Sequence, residues 1–361
     1  MAKIISLLMA LIMFAFPSFN VPKTAKNTET MKTDYEYVFV HGLSGWGSYD
    51  FVNKLLPHWG LTTGDMMKYL RARGFSCHSA SVDPQGSAWD RACELYAQLA
   101  GTVVDYGKAH SEKYGHDRFG RDFSKNPLIK SWNNTDKINL LGHSFGGATV
   151  RLLAALMANG SEEERNATEE NDISPLFTGG KADWIYSVTA LAAPTNGTSA
   201  YGFGDPDILL ENHDCADYDM YIDKALALNE TMPVMDCTYY FAVPCSSTEK
   251  NEDGTYTPVK GINEPMMISS AERMGKTTGV TPEGFVVDES WLENDGLVNT
   301  VSAGAPFNAP SQPLDKENIR PGVWNVAPVY SGDHMALIGD LVYPKSVREF
   351  YVDWLNMINA I

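Results

Sequence analysis

The sequence predicts an α/β fold, a mostly parallel central sheet with helices on both faces. Short β-branched and aromatic runs recur at Tyr35 to Val40, Lys137 to Leu141, Ile185 to Ala193 and Cys237 to Val243. Helical stretches such as Asp90 to Leu99 lie between them. The 361 residues, 44% hydrophobic and 20% charged, suffice to bury a sizeable core, and α/β folds of this length often form one domain.

From the N-terminus, Lys3 precedes an apolar run from Ile4 to Phe16 and then Pro17-Ser18-Phe19-Asn20. As a helix the run spans about 20 Å, short of a bilayer core of about 30 Å. Residues 1–20 therefore read as a signal peptide without a clear cleavage site, and the protein as secreted. Residues 21–34 form a polar leader, and 35–361 a single domain. The first strand, Tyr35 to Val40, ends in His41-Gly42. The second, Lys137 to Leu141, turns directly into the apolar helical pattern Ala148-Leu152-Leu153-Leu156. The Gly- and Pro-interrupted segments 199–217 and 247–290 read as excursions from the sheet.

A formal net charge of -17 repels phosphate backbones and argues against a nucleic-acid partner. Five cysteines leave at least one thiol free; Cys215, Cys237 and Cys245 offer one bridge, which the sequence does not decide. Asn133, Asn159, Asn166, Asn196 and Asn229 each open an Asn-x-Ser/Thr triplet, relevant only in a host that glycosylates secreted proteins.

The chemistry centres on Gly142-His143-Ser144-Phe145-Gly146. Glycines two residues away on each side relieve the crowding of a sharp strand-to-helix turn, which lifts a serine Oγ above the sheet edge. A bare Gly-x-Ser-x-Gly is also an ordinary tight turn; its place between a strand and a helix favours the nucleophile. Such a serine needs a histidine to take its proton and a carboxylate to fix that histidine's tautomer. In folds with this turn the chain order is Ser, acid, His. Only His213 and His334 follow Ser144, and His213 lies early in a polar excursion with no good acid before it. His334, in Tyr330-Ser331-Gly332-Asp333-His334, is the candidate base, against the reading of a plain surface histidine. Asp295 in Asn294-Asp295-Gly296 is the candidate acid, although Asp-Gly pairs also simply form turns. Asp333 is too close in sequence to meet the Nδ1 of His334, and Glu293 is the fallback. Two backbone N–H groups are needed for a developing oxyanion. Phe145 and Leu43, the latter in the loop from His41 to Gly47, are the candidates, and their side chains are expected at an apolar pocket mouth.

These residues and their surroundings resemble the thermoalkalophilic and staphylococcal-type bacterial lipases, from about Tyr37 to the C-terminus. The match includes His41-Gly42-Leu43-Ser44-Gly45-Trp46-Gly47, Trp89-Asp90-Arg91-Ala92-Cys93-Glu94, Val104-Asp105-Tyr106-Gly107 and Arg118-Phe119-Gly120-Arg121. It continues through Trp291-Leu292-Glu293-Asn294-Asp295-Gly296 and Gly322-Val323-Trp324-Asn325. The resemblance implies an α/β-hydrolase fold and a lipase or esterase using Ser144, Asp295 and His334 on lipid or other acyl esters. Transient contact with lipid interfaces and no obligate protein partner are implied too. It also implies a structural zinc ion on Asp90, His110, His116 and Asp214, a set composition alone does not suggest.

Two departures qualify the resemblance. Only Ser199 to His213 occupies the interval in which the family carries a long helical lid, so shorter or more soluble esters are expected. Ala336 and Leu341 stand where the family places acidic calcium ligands, with Asp340 displaced, so no family-type calcium site is expected. The rival readings are a non-catalytic binding protein on a hydrolase scaffold and, within enzymes, a thioesterase or polyester hydrolase.

Overall fold

The computed structural model describes residues 26–339 and 346–361. The expected signal peptide, the start of the polar leader, Asp340 and Leu341 lie outside the described residues. Among the described residues no helix is long and apolar enough to cross a membrane.

Seven strands form the central sheet: β1 (Glu36–Val40), β2 (Cys77–Ala80), β3 (Ile138–His143), β4 (Ile185–Leu191), β5 (Tyr239–Val243), β6 (Ser311–Pro313) and β7 (Trp324–Val326). Their order is β6-β7-β5-β4-β3-β1-β2, and every neighbouring pair is parallel. Parallel strands need crossovers, and the crossing helices cover both faces.

The strand pleat divides the core. Val38 and Val40 of β1, Leu140 of β3 and Val188 of β4 face α1 (Ala88–Ala100) and α2 (Gly146–Asn159). Tyr37, Phe39, Leu141 and Phe241 point the other way, against the short helix Met66–Arg71 and the C-terminal helix. Burying each such side chain contributes roughly 1.5–3 kcal/mol, so neither face can be left open. This is why the strands read as continuous apolar runs rather than as alternating ones.

Two further helices are labelled α3 (Pro265–Met274) and α4 (Ser346–Asn359), the latter being the C-terminal helix just described. The helix expected over Asp90 to Leu99 begins two residues earlier, because the Ser87 hydroxyl caps it by accepting the Asp90 N–H at 3.2 Å. The strand expected to reach Ala193 stops at Leu191, where Ala192 turns to φ 47°.

All five cysteines are unpaired, so the suggested bridge among Cys215, Cys237 and Cys245 is not made. Cys245 is buried in a strand pair with Tyr330–Ser331, whereas Cys237 is exposed. Of the candidate glycosylation sites, Asn196 and Asn229 are buried and bonded to each other at 3.1 Å, leaving no room for a glycan.

Candidate active site and candidate metal centre

β3 ends at His143 and α2 begins at Gly146, so Ser144 sits in the turn between them. Its φ is 55°, a left-handed conformation that costs a serine on the order of 1–3 kcal/mol. The surroundings impose it. A Cβ on Gly142 would lie 2.1 Å from the Gly146 carbonyl oxygen, and one on Gly146 would lie 2.4 Å from that of Val40. Both glycines are therefore steric necessities of the turn. The Ser144 N–H donates to the Leu191 carbonyl at 2.9 Å, tying the turn to the end of β4.

The structure brings His334 and Asp295 to this serine. His334 Nε2 lies 2.8 Å from Ser144 Oγ, and its Nδ1 lies 2.8 Å from Asp295 Oδ2. A carboxylate only accepts, so the proton sits on Nδ1 and Nε2 is left to accept from the serine hydroxyl. The other oxygen, Asp295 Oδ1, accepts the N–H groups of Leu297 at 3.0 Å and Val298 at 2.7 Å. The turn-forming role and the histidine-facing role of Asp295 therefore coexist, one on each oxygen. The His334 N–H donates to the Asp295 carbonyl at 2.8 Å, so backbone and side chain align the pair together. Burial works against charge on His334, but the Asp295 carboxylate outweighs it, aided by Asp333, and raises its pKa above the ordinary value.

The remaining carboxylates and histidine face elsewhere. Asp333 accepts the N–H groups of Glu264 at 2.7 Å and Met335 at 3.1 Å. Glu293 lines a separate groove beside Pro244 and Thr300. His213 bonds the Leu210 carbonyl at 3.1 Å and stacks on Tyr218.

Among the described residues, neither the Leu43 nor the Phe145 backbone N–H has a hydrogen-bond acceptor. The Leu43 side chain lines a 440 Å³ cavity at Ser144, as do Tyr201, Met220, Leu297 and Ile338. The Phe145 ring corrects the expectation of an apolar mouth on both sides. It is 1% exposed and packs into the core, with the Arg91 guanidinium 5.3 Å from its centroid. The residue after the nucleophile caps α2, and its side chain is drawn to the face that α2 buries.

Several site residues escaped the sequence reading. His143 Nε2–H donates to the His334 carbonyl at 2.8 Å, and burial followed by the nearby His334 lowers its pKa to about 3, keeping it neutral. It is one of the two variable residues of Gly-x-Ser-x-Gly, so no pattern marks it. His58 and Arg273 also line the cavity, contributed by segments remote in sequence.

Asp90, His110, His116 and Asp214 form a second cluster, with one potential ligand atom from each lying within 4.8 Å of the others. Asp90 comes from the first turn of α1 and His110 from the short helix Lys108–Tyr114. His110 Nε2 lies 3.1 Å from Asp90 and 3.3 Å from Asp214. Burial disfavours charge on His110, but Asp214 and Asp90 outweigh it and raise its pKa to about 9. His116 donates Nδ1–H to the Asp117 carbonyl at 2.9 Å, which leaves Nε2 as a bare lone pair. That Nε2 is buried without a hydrogen-bond partner, 3.4 Å from Asp214 Oδ2. Two carboxylates and an orphaned imidazole nitrogen converging on one point make a donor set suited to a cation. Ala336, at a position where the resemblance places a calcium ligand, is buried in a short 3-10 turn.

Residues 33–211 match the family model described as "Lipase-like, C-terminal domain". The chain is 31% identical over 373 residues to Lipase 2 of Staphylococcus aureus, covering 89% of this chain and 53% of that protein. It thus spans about half the length of the curated relatives it matches. Among solved structures, EstA from Clostridium botulinum superposes with a TM-score of 0.85 at 28% identity, covering 100% of this chain and 98% of that one. Lipase 1 from Pelosinus fermentans superposes with a TM-score of 0.76 at 30% identity, covering 90% and 98%.

Proposed function

Because the chain belongs to the staphylococcal-type lipase family, we propose that it is a serine ester hydrolase, a lipase or carboxylesterase acting on acylglycerols or other acyl esters. The observation that carries this reading is the unbroken relay from Ser144 Oγ through His334 to Asp295, with both links at 2.8 Å. Ser144 Oγ attacks the ester carbonyl while its proton passes to His334 Nε2, and Asp295 stabilises the imidazolium. The free N–H groups of Leu43 and Phe145 receive the oxyanion. The tetrahedral adduct collapses, the C–O bond to the alcohol breaks, and His334 returns the proton to the departing alkoxide. Water then gives a proton to His334 and attacks the acyl-serine, releasing the acid and restoring Ser144.

Asp90, His110, His116 and Asp214 would hold a zinc ion, which supplies a structural clamp there because all four positions are filled by protein groups. The orphaned His116 Nε2 supports the fit. The interval Ser199 to His213 contains only a three-residue turn, Ser199–Tyr201, and a four-residue helix, Pro206–Leu209. This supports a preference for shorter or more soluble esters over long-chain fat, while exposed Ile208 and Leu209 leave apolar surface for transient contact with a lipid interface. The apolar run after Lys3 supports export.

The test is hydrolysis of p-nitrophenyl esters from acetate to palmitate by wild type and Ser144→Ala, with and without an oil–water interface. Ser144-dependent turnover strongest on the shorter chains is expected. No Ser144-dependent turnover at any chain length would overturn the enzyme reading. A steep rise at the interface would overturn the chain-length preference.

A further inference from the structure

Arg91 is fully buried, and among the described residues it pairs with no carboxylate within salt-bridge distance. Its guanidinium instead takes neutral acceptors from three segments, the loop after β1, the loop after β2 and the first turn of α2. It donates to the His41 carbonyl, to the Gly42 carbonyl at 3.5 Å, to the Asp83 carbonyl at 2.8 Å and to Thr149 Oγ1 at 2.9 Å. Thr149 Oγ1 in turn donates to the Phe145 carbonyl at 3.4 Å, and the cation lies 5.3 Å from the Phe145 ring. Burying a cation without a carboxylate partner is costly. The position of its acceptors shows what that charge faces.

The Gly42 carbonyl belongs to the same peptide unit as the Leu43 N–H. In a trans peptide the C=O and N–H point in opposite directions, so whatever holds the oxygen aims the hydrogen. His41 Nδ1–H also donates to the Gly42 oxygen, at 2.8 Å, while His41 Nε2 accepts the Val82 N–H at 3.3 Å. The Leu43 N–H is thereby turned away from Arg91, and Leu43 lines the cavity at Ser144. A cation at the carbonyl end also polarises the amide and makes its N–H a stronger donor in a water-poor site. Through Thr149 and the Phe145 ring, the same guanidinium fixes the start of α2, which carries the second N–H.

We propose that Arg91 is the positioning residue of the oxyanion site, one buried guanidinium that aims both the Leu43 and the Phe145 N–H groups by holding the segments they belong to. The inference rests on the ester-hydrolase reading. It makes Arg91 act on the transition state without touching substrate, and it predicts a loss in kcat rather than in KM.

The experiment compares wild type, Arg91→Lys and Arg91→Met on p-nitrophenyl butyrate, with kcat expressed per site titrated to completion with a fluorophosphonate. Inhibition by butylboronic acid, which forms a tetrahedral anion on the serine, is measured alongside. Arg91→Lys is expected to lower kcat per titrated site about 10- to 100-fold with KM within about twofold, and Arg91→Met to lower it further. The boronic acid inhibition constant should rise with the fall in kcat. A purely structural role would reduce thermal stability and the titrated fraction while leaving kcat per site unchanged. That result, or a loss confined to KM, would overturn the inference. Should neither variant fold, Thr149→Val removes one acceptor and leaves the charge; it should still lower kcat per site several-fold, and an unchanged kcat overturns the inference. A wild type without Ser144-dependent turnover would overturn the hydrolase reading and this inference together. Turnover that is indifferent to Arg91 overturns this one alone.

Discussion

The molecule contains two constellations built from the same residue types, and they differ in how complete they are. At Ser144, each acceptor has its donor: Asp295 takes two backbone N–H groups on one oxygen and the imidazole on the other, and His334 receives the serine hydroxyl. At Asp90, His110, His116 and Asp214, two carboxylates share the single Nε2 of His110, and the His116 Nε2 lone pair has no donor at all. A set of hydrogen bonds that closes on itself can be held neutral and ready to move a proton. A set of converging lone pairs needs a cation to close it. Geometry, rather than composition, separates a proton relay from a metal clamp.

The same substitution made in both regions is the sharpest way to break this comparison. Asp295→Asn keeps an acceptor for the Leu297 and Val298 N–H groups but presents the wrong partner to His334 Nδ1. It should lower kcat by about 10⁴-fold while metal content stays at the wild-type level. Asp214→Asn should do the reverse: zinc measured by elemental analysis falls, and kcat per titrated site stays within a few-fold below the melting temperature. If Asp295→Asn loses metal, or Asp214→Asn abolishes turnover while still folded, the two regions are not separate devices.

Removing the proposed cation from wild type should give the next largest effect. A ligand present at about a thousandfold over its dissociation constant stabilises by about 4 kcal/mol, which for a chain of this size moves Tm on the order of 5–10 °C. Chelation followed by calorimetry should show a drop of this size, reversed by zinc. An unchanged Tm would remove the metal from the account of stability.

The two regions also differ in how far the sequence disclosed them. Ser144 was legible because a strand, a turn and a helix each leave a local signature; chain order narrows its histidine to His213 or His334, while Asp295 rested on its place in an Asp-Gly turn. The candidate metal cluster came only through resemblance: His110 and His116 sit six apart in a polar stretch, and nothing local joins them to Asp214. The central strands were readable as apolar runs, but β2, β6 and β7 were not. β6 and β7 are three residues long, and their pairing is decided by neighbours far away in the chain. The expectation for Phe145 failed for a related reason. Which way a side chain leaves a turn depends on the helix face that follows, not on the motif.

A smaller effect separates the relay from an ordinary histidine. His334 acts as a base only when neutral, so kcat/KM falls as pH drops through its pKa, tenfold per unit below it. Because Asp295, aided by Asp333, raises that pKa, the acid limb should be centred above the ordinary histidine value of about 6.5. Asp333→Asn removes one of the charges that raise it and should move the limb to lower pH. A pH–rate profile that places the limb below 6.5 would contradict the burial-with-carboxylate environment described for His334.

The smallest effect tests what holds the proposed metal ligands in place. Glu164 is 1% exposed, and its two carboxylate oxygens accept the N–H groups of Ala109 at 3.0 Å and His110 at 2.8 Å. Those are free donors of the first turn of the helix Lys108–Tyr114, so a buried carboxylate from another element caps the helix that carries His110. Gly107 makes the room: a Cβ there would lie 2.4 Å from Glu164 Cδ. Glu164→Gln replaces one acceptor with an NH₂ group facing an N–H, and should shift the helix enough to misplace His110. Outer partners of metal ligands commonly affect affinity by about 10- to 100-fold, and this one, acting through backbone, should fall near the lower end. Competition for zinc against a coloured chelator reads the change directly, with ester turnover as the control that should stay level. An affinity equal to wild type would mean that the cluster is placed by α1 and the Asp214 loop alone.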